Sequence, residues 1–177
     1  MEQKKSTQFI VVLMNVLLWI IFIGLCIKTG TILYSFFVSL AINLAGAKNL
    51  YMGLNLSDLY QFSKVHYVVI VGVLILLTGL KAYIGYWAVK ASMEFKIIKP
   101  FSAVVSSWIN KMSQIALWTG LLALIGQAYS EWLIKKGFSI PINWASGEIL
   151  FFAGVIFLIA QVFKKGIEIQ TENELTV

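Results

Sequence analysis

The sequence predicts an all-α integral membrane protein, a four-helix bundle with short loops and one extra apolar helical segment after the first span. Two observations predict this class. Apolar residues make up 59% of the 177 residues and charged residues only 12%, which is too few to cover a soluble domain of this size. The apolar residues also fall into runs that approach the length of about 20 residues needed to cross a bilayer. The single membrane domain has predicted spans at residues 9–27, 67–89, 104–129 and 148–163, and residues 164–177 form a cytoplasmic tail.

The first run follows a short basic start that contains Lys4 and Lys5. A basic start before an apolar run is also typical of a signal peptide. The run is long enough to span, however, and no small-residue cleavage pattern follows it, so we expect a retained first helix. Residues 31–45 form a second apolar segment that is too short to span alone. This segment either extends the first helix beyond the membrane or lies in the membrane interface.

The third run carries its small and polar residues on one helical face. They recur at steps of three or four residues, which is the helical period. They are Ser102, Ser106, Asn110, Ser113, Ala116, Gly120, Ala123 and Gln127. In lipid, small residues allow two helix backbones to approach closely, and Ser, Asn and Gln side chains bond across helices. The face therefore predicts a packing seam against neighbouring helices, with a polar ligand crevice as the alternative.

Lys81 is a conspicuous ionisable residue inside a predicted span. A charge at the centre of a span costs about 2.5–3.5 kcal/mol on insertion scales, so such residues are functional candidates. Lys81 precedes Lys90 by nine residues, and its long side chain can extend toward lipid phosphates at the inner surface. Pairing with Gln161, Asn110 or a helix carbonyl is the alternative. The candidate polar seam comprises Lys81, Asn110, Ser113, Gly120, Gln127 and Gln161.

Residue types that support catalysis or metal binding are sparse. His66 is the only histidine and Cys26 the only cysteine, which excludes multi-histidine and cysteine-cluster metal sites. The sequence contains no acidic residue at the centre of a predicted span and no phosphate loop, nucleophile elbow or zinc motif. We therefore expect no enzyme activity, no cofactor and no metal. His66 is expected to be an interfacial residue, with a proton switch as the alternative.

The net charge of +6 is carried by lysine without any arginine. Arginine is the usual residue for bidentate phosphate capture, so the charge favours anionic lipid headgroups over nucleic acid as the partner. With the N-terminus inside, the inner lysines are Lys4, Lys5, Lys90, Lys96, Lys99, Lys164 and Lys165, and the outer ones are Lys28, Lys48, Lys64, Lys135 and Lys136. The excess predicts that both termini are cytoplasmic. Interfacial aromatic residues are expected at the inner side (Trp87, Trp108) and at the outer side (Tyr129, Trp132, Trp144).

The tail combines acidic and apolar residues and is the predicted partner-binding segment. Its candidate contacts are Ile167, Ile169, Glu172, Glu174, Leu175 and Val177. Ile167 and Ile169 alternate with polar residues, as a strand added to the edge of a partner's sheet would. The alternative is a helical continuation that packs under the inner loop, with its acids near Lys90, Lys96 and Lys99.

Two stretches are specific enough to compare with a family. They are Lys99-Pro100-Phe101-Ser102, at the start of the third helix, and the ending Gly166-Ile167-Glu168-Ile169-Gln170-Thr171-Glu172-Asn173-Glu174-Leu175-Thr176-Val177. On these stretches, and on the four-pass spacing of most of the chain, the protein resembles the bacterial membrane proteins of domain-of-unknown-function family 2975. Residues 31–64 are long for that family. The resemblance implies a location in a bacterial inner membrane. It implies no activity, cofactor or catalytic residue, but it implies a partner, because members are often encoded beside a small helix-turn-helix regulator.

We therefore expect a non-enzymatic membrane regulator or sensor that acts through a cytosolic partner, such as a helix-turn-helix transcription regulator. The alternative is a small transporter or channel subunit, or an immunity-type protein that protects the membrane. A water-filled path lined by Lys81, Asn110, Ser113 and Gln161 would favour transport, whereas a dry seam would favour the regulator. The expected partners are the lipid bilayer and the cytosolic protein, without direct binding of nucleic acid; a homo-oligomer is left open.

Overall fold

The computed structural model describes the backbone of residues 2–95 and 101–175 and the side chains of residues 9–95 and 101–172. Over these residues the secondary structure is entirely helical and contains no strand, which confirms the all-α part of the prediction. The helices are α1 (Glu2–Ala41), α2 (Ala45–Lys48), α3 (Ser57–Phe62), α4 (Lys64–Glu94), α5 (Ala103–Lys135) and α6 (Ser146–Leu175). The predicted Lys99-Pro100 start of the third helix, together with Lys96, lies outside the described residues.

Three of the long helices are apolar and long enough to cross a membrane. They are α1 over Phe9–Ala41, α4 over Lys64–Glu94 and α6 over Ser146–Glu172. This finding indicates a membrane protein, because soluble domains do not expose helices of this length and composition. Helix α5 is as long, with 33 residues, but its polar residues keep it out of this group.

The first two apolar segments form one continuous helix. Helix α1 has 40 residues, which corresponds to about 60 Å. The hydroxyls of Thr29 and Thr31 each donate to a carbonyl four residues earlier, at 2.9 Å, so the helical path continues on both sides of Gly30. Of the two alternatives for residues 31–45, the structure therefore has the extended helix, up to Ala41.

The long helices form an open row in chain order. Helix α1 packs against α4, α4 packs against α5, and α5 packs against α6. Within the described parts of the chain, the backbone of α6 does not come close to that of α1 or α4. Neighbours run antiparallel, since His66 lies beside Tyr129 at one end of α4 and α5 and Trp87 lies beside Trp108 at the other. The predicted four-helix bundle is thus not confirmed, because the first and last helices of the row do not meet.

Residues 42–63, with α2 and α3, fold into a cap over the adjoining ends of α1 and α4. Gly46 lies so close to the backbone of Ser35 and Ser39 that no side chain fits there. The Tyr67 hydroxyl of α4 donates to Ser39 Oγ of α1 at 2.8 Å. The core of the molecule is concentrated here, with buried side chains that include Ile32, Leu50, Leu56, Leu59, Tyr67 and Ile70. We call this side of the molecule the cap end.

Candidate functional site

The interface between α5 and α6 is tightly packed and is built on small residues. Gly120 is buried, and a Cβ placed there would lie 2.5 Å from Leu150 Cδ2 and 3.4 Å from the Leu150 backbone nitrogen. Around it, Ser113, Ala116, Ala123 and Ala153 are buried as well. Two of the predicted seam residues, Gly120 and Ser113, therefore lie inside this interface, which we call the seam.

Trp144 closes the seam at the cap end. Its ring packs on Gly126, where an added Cβ would lie 2.5–2.8 Å from three ring carbons. The ring is only 3% exposed, and its Nε1–H donates to Ser130 Oγ at 2.9 Å. Trp144 was expected at the outer interface, where an aromatic ring would face lipid headgroups; the ring faces α5 instead. The segment before α6 folds back over α5 and buries the ring, a path that the composition of a loop does not reveal.

Gln127 also bonds across the two helices at the cap end. The Ser146 hydroxyl donates to Gln127 Oε1 at 2.5 Å, and Gln127 Nε2 donates to Glu131 Oε1 at 3.0 Å. These groups line a cavity of about 460 Å³ together with Asn143 and Glu148. Gln127 therefore belongs to the helix–helix contact, as amides do between membrane helices.

Asn110 and Gln161 meet at the opposite end of the seam. They line a groove of about 440 Å³ between α5 and α6, which we call the end groove. Its other lining residues are Ala103, Ser106, Ser107, Ala160, Lys164 and Ile167. The structure thus brings together two residues of the predicted polar seam and one residue of the predicted tail.

Lys81 stands apart from these residues on α4. It is half-buried, and no hydrogen bond or ion pair among the described residues involves it. The predicted pairing with Asn110 or Gln161 is therefore absent from this part of the chain. Charged groups that interact electrostatically with Lys81 include Lys28 of α1 and Glu148 of α6.

Lys28 reaches from α1 to the cap. Its Nζ lies 5.3 Å from the centre of the Tyr51 ring, within the range of a cation–π contact. Both side chains line a cavity of about 370 Å³ with apolar walls that include Ile32 and Leu74. Lys28 was predicted only to be one of the lysines on the outer side. Its contact with Tyr51 depends on how the cap folds, and no local pattern signals it.

His66 links α4 to α5 at the cap end. His66 Nδ1 and the Tyr129 hydroxyl share a hydrogen bond of 2.5 Å. The imidazole stacks on Phe62 and meets Trp132 edge to face, with ring centres 6.3 Å and 5.6 Å away. His66 was predicted to be interfacial, but its tie to Tyr129, 63 residues away, was missed because nothing in the sequence pairs them.

An aromatic cluster with two lysines lies at the other end of α4 and α5. Trp87 and Trp108, both predicted near the inner interface, have ring centres 6.2 Å apart. Lys90 Nζ and Lys111 Nζ lie 5.3 Å and 4.7 Å from the Trp87 ring centre. This arrangement of aromatic rings and cations is typical of the membrane–water boundary.

The tail is helical as far as the structure describes it. Ile167, Ile169 and Glu172 belong to α6, which continues to Leu175, so this segment of the chain is helical. The predicted packing of the tail under the inner loop involves Lys96 and Lys99, which lie outside the described residues, and strand addition to a partner stays a prediction. The acid Glu168 bonds Lys165 of its own helix at 3.0 Å. The side chains of Glu174 and Leu175, and Val177 entirely, lie outside the described residues.

None of the protein-family models, curated proteins or solved structures compared with the chain matches it. The resemblance to domain-of-unknown-function family 2975 therefore stays a prediction.

Proposed function

We propose that the protein crosses the membrane four times, with α5 as the fourth span beside the three apolar helices. The support is the position of α5 in the row. It lies between α4 and α6, both apolar enough to cross, and contacts α4 from Tyr129 at one end to Trp108 at the other. A helix packed antiparallel along most of two spanning helices crosses the same layer. Three of its polar residues, Ser113, Thr119 and Ser130, are buried, as polar residues between membrane helices can be.

The lysine distribution supports cytoplasmic termini, and the family resemblance suggests a bacterial inner membrane. Cysteine labelling in a Cys26→Ser background tests this arrangement together with the fourth span. We expect Asn49→Cys and Ser139→Cys to react with an impermeant thiol reagent in intact cells, and Glu94→Cys and Thr171→Cys to react only after lysis. If Ser139→Cys behaves like Glu94→Cys, α5 does not cross. If all four sites show the reverse pattern, the orientation is wrong.

We further propose a non-enzymatic regulator or sensor that acts through a cytosolic protein. The observation that carries this proposal is the closed seam: Ser113 is buried, Gly120 is covered by Leu150, and Lys81 is on a helix whose described backbone stays away from α6. Asn110 and Gln161 line one groove, but Lys81 lies apart from them on α4 and Ser113 is covered, so the four residues named for a transport path do not line a common one. What α6 offers instead is a helical extension beyond Lys165 that carries the half-exposed Ile169.

The partner, which the family resemblance suggests is a helix-turn-helix regulator, should then bind this extension. We expect Ile169→Asp to abolish recovery of a cytosolic protein that is cross-linked to the wild-type chain in cells and identified by mass spectrometry. Thr171→Asp is the matched control, because it adds the same charge almost on the opposite side of the helix. Both variants should insert normally. Loss of the partner with both variants, or with neither, would contradict docking on the Ile169 face.

A small transporter or channel subunit remains the second candidate function, and an immunity-type membrane protein has no specific observation in its favour. The observation that favours transport is that Lys28 and Lys81 form no ion pair with any described residue. Ionisable residues inside membrane helices often mark the paths of ions or substrates. A transporter requires water in the seam, whereas the regulator is expected to have a dry seam.

A further inference from the structure

The end groove collects polar side chains that have no partner among the described residues. Ser106, Ser107 and Asn110 line its α5 wall, and Gln161 and Lys164 line its α6 wall. Within the described part of the chain, none of these five side chains makes a hydrogen bond or an ion pair. Elsewhere in the molecule similar groups are bonded, as Gln127 is to Ser146 and Glu131. The end groove therefore concentrates hydrogen-bond donors and acceptors that no described residue pairs with.

The end groove lies at the predicted boundary between the membrane and water. It lies where α5 begins and where α6 passes Lys164 and Lys165, which is the end at which the apolar part of the helices stops. Polar groups at a membrane boundary need partners from outside the helices, because unbonded groups next to hydrocarbon are costly. The partners available there are water and lipid headgroups.

The chemistry of the lining favours an anion with oxygen acceptors. Lys164 supplies a positive charge, and the two amides and two hydroxyls supply further donors. No carboxylate lines the groove within the described residues, and the nearby Glu168 bonds Lys165 instead of Lys164. Lysine is a common point-charge ligand for phosphate. The apolar residues Ala103, Ala160 and Ile167 complete the wall, which suits a ligand with a hydrocarbon portion.

We propose that the end groove binds the phosphate of an anionic phospholipid headgroup, with Lys164 as the charged ligand and Asn110 as the donor from the opposite helix. Basic pockets between membrane helices are known places for such headgroups. Lys164 and Asn110 are not among the residues proposed to bind the cytosolic partner, so lipid binding and partner binding can fail separately.

The test is a titration of the full-length protein in neutral detergent with phosphatidylglycerol, with bound lipid counted by native mass spectrometry. Phosphatidylcholine and inorganic phosphate are titrated in parallel. We expect phosphatidylglycerol to bind more tightly than either. Lys164→Gln should weaken it by about tenfold, the effect of removing one charge-assisted hydrogen bond. The matched control is Lys165→Gln, which removes the same charge one residue away and should stay within about twofold of wild type.

A second pair of variants leaves the lysines intact. Asn110→Asp places a negative charge in the groove at nearly unchanged size and should weaken phosphatidylglycerol binding by about tenfold. Gln114→Glu, one helical turn further along α5 and outside the groove lining, should not. Asn110, Gln114, Lys164 and Lys165 are all exposed, so these substitutions are not expected to unfold the protein.

Three outcomes would overturn the proposal. Equal losses in the variants and their controls would mean a diffuse charge effect without a site. No loss in Lys164→Gln and Asn110→Asp would remove the groove as the site. If inorganic phosphate binds as tightly as phosphatidylglycerol, or phosphatidylcholine does, the groove does not select an anionic lipid.

Discussion

The interface between α5 and α6 and the interface between α1 and α4 use glycine in different ways. Along the first, an added Cβ would lie within 2.6 Å of a neighbouring side chain at Gly120, Gly126 and Gly166. Between α1 and α4, an added Cβ would make only ordinary contacts, at Gly79 with Thr29 and at Gly85 with Phe22; Gly24, Gly30 and Gly72 have no atom within 4 Å and lie outside that interface. Glycine therefore marks a close approach between α5 and α6 and only ordinary contact between α1 and α4.

The contrast indicates where the helix pairs depend on close packing. Between membrane helices, association comes from close packing and interhelical hydrogen bonds, because lipid competes equally for apolar surface. The α5–α6 pair has both, through its buried glycines and the Trp144–Ser130 and Ser146–Gln127 bonds. Helix α1 is tied to α4 by side-chain hydrogen bonding only near the cap, through Ser39 and Tyr67, within the described residues.

The largest expected effect is at Gly126. Gly126→Ala forces a methyl group into the Trp144 ring, which is buried and hydrogen-bonded and cannot easily move. We expect a loss of about 2–3 kcal/mol in the free energy of unfolding, measured as a lower melting temperature in detergent. The control is Gly154→Ala on α6, where an added Cβ meets nothing within 4 Å. Identical melting of the two variants would mean that the close contact of Gly126 with Trp144 does not stabilise the α5–α6 pair.

A smaller effect is expected at Gly120, where the obstacle is the flexible side chain of Leu150. Gly120→Ala should cost about 1–2 kcal/mol, and the bulkier Gly120→Leu more. Leu150→Ala removes the colliding atoms, so the double variant should lose less stability than the sum of the two single variants. If the loss of stability in the double variant equals the sum of the two single losses, Gly120 and Leu150 do not interact sterically.

The smallest effect is expected on α4. Gly72→Ala adds a methyl group into open space and replaces glycine by a better helix former. We expect a change between zero and about 1 kcal/mol of stabilisation in the same melts. A clear destabilisation would mean that α4 packs against a surface at this position that the isolated chain lacks, such as a second copy.

The sequence predicted the parts of this structure that depend on local patterns. Composition and run length predicted the long helices, and the three-and-four spacing placed Ser113 and Gly120 on the face that α5 buries. A helical period identifies a face but not the helix that covers it. For that reason the pattern could not show that Lys81 and Gln161 lie on helices that do not pack together. It also could not show that α1 and α6 do not meet. The burial of Trp144 and the pairing of His66 with Tyr129 depend on loop paths and long-range packing, which leave no periodic trace.

The proposed function rests on a dry seam, and cysteine accessibility measures this directly. Ser113 is 4% exposed inside the seam, whereas Asn110, three residues earlier on α5, is exposed at the end groove. In a Cys26→Ser background, Asn110→Cys and Ser113→Cys are each reacted with a small water-soluble thiol reagent in open membrane fragments. We predict rapid modification of Asn110→Cys and none of Ser113→Cys over the same period. Comparable rates at both positions would mean that water fills the seam, which would contradict the regulator and favour a transport path.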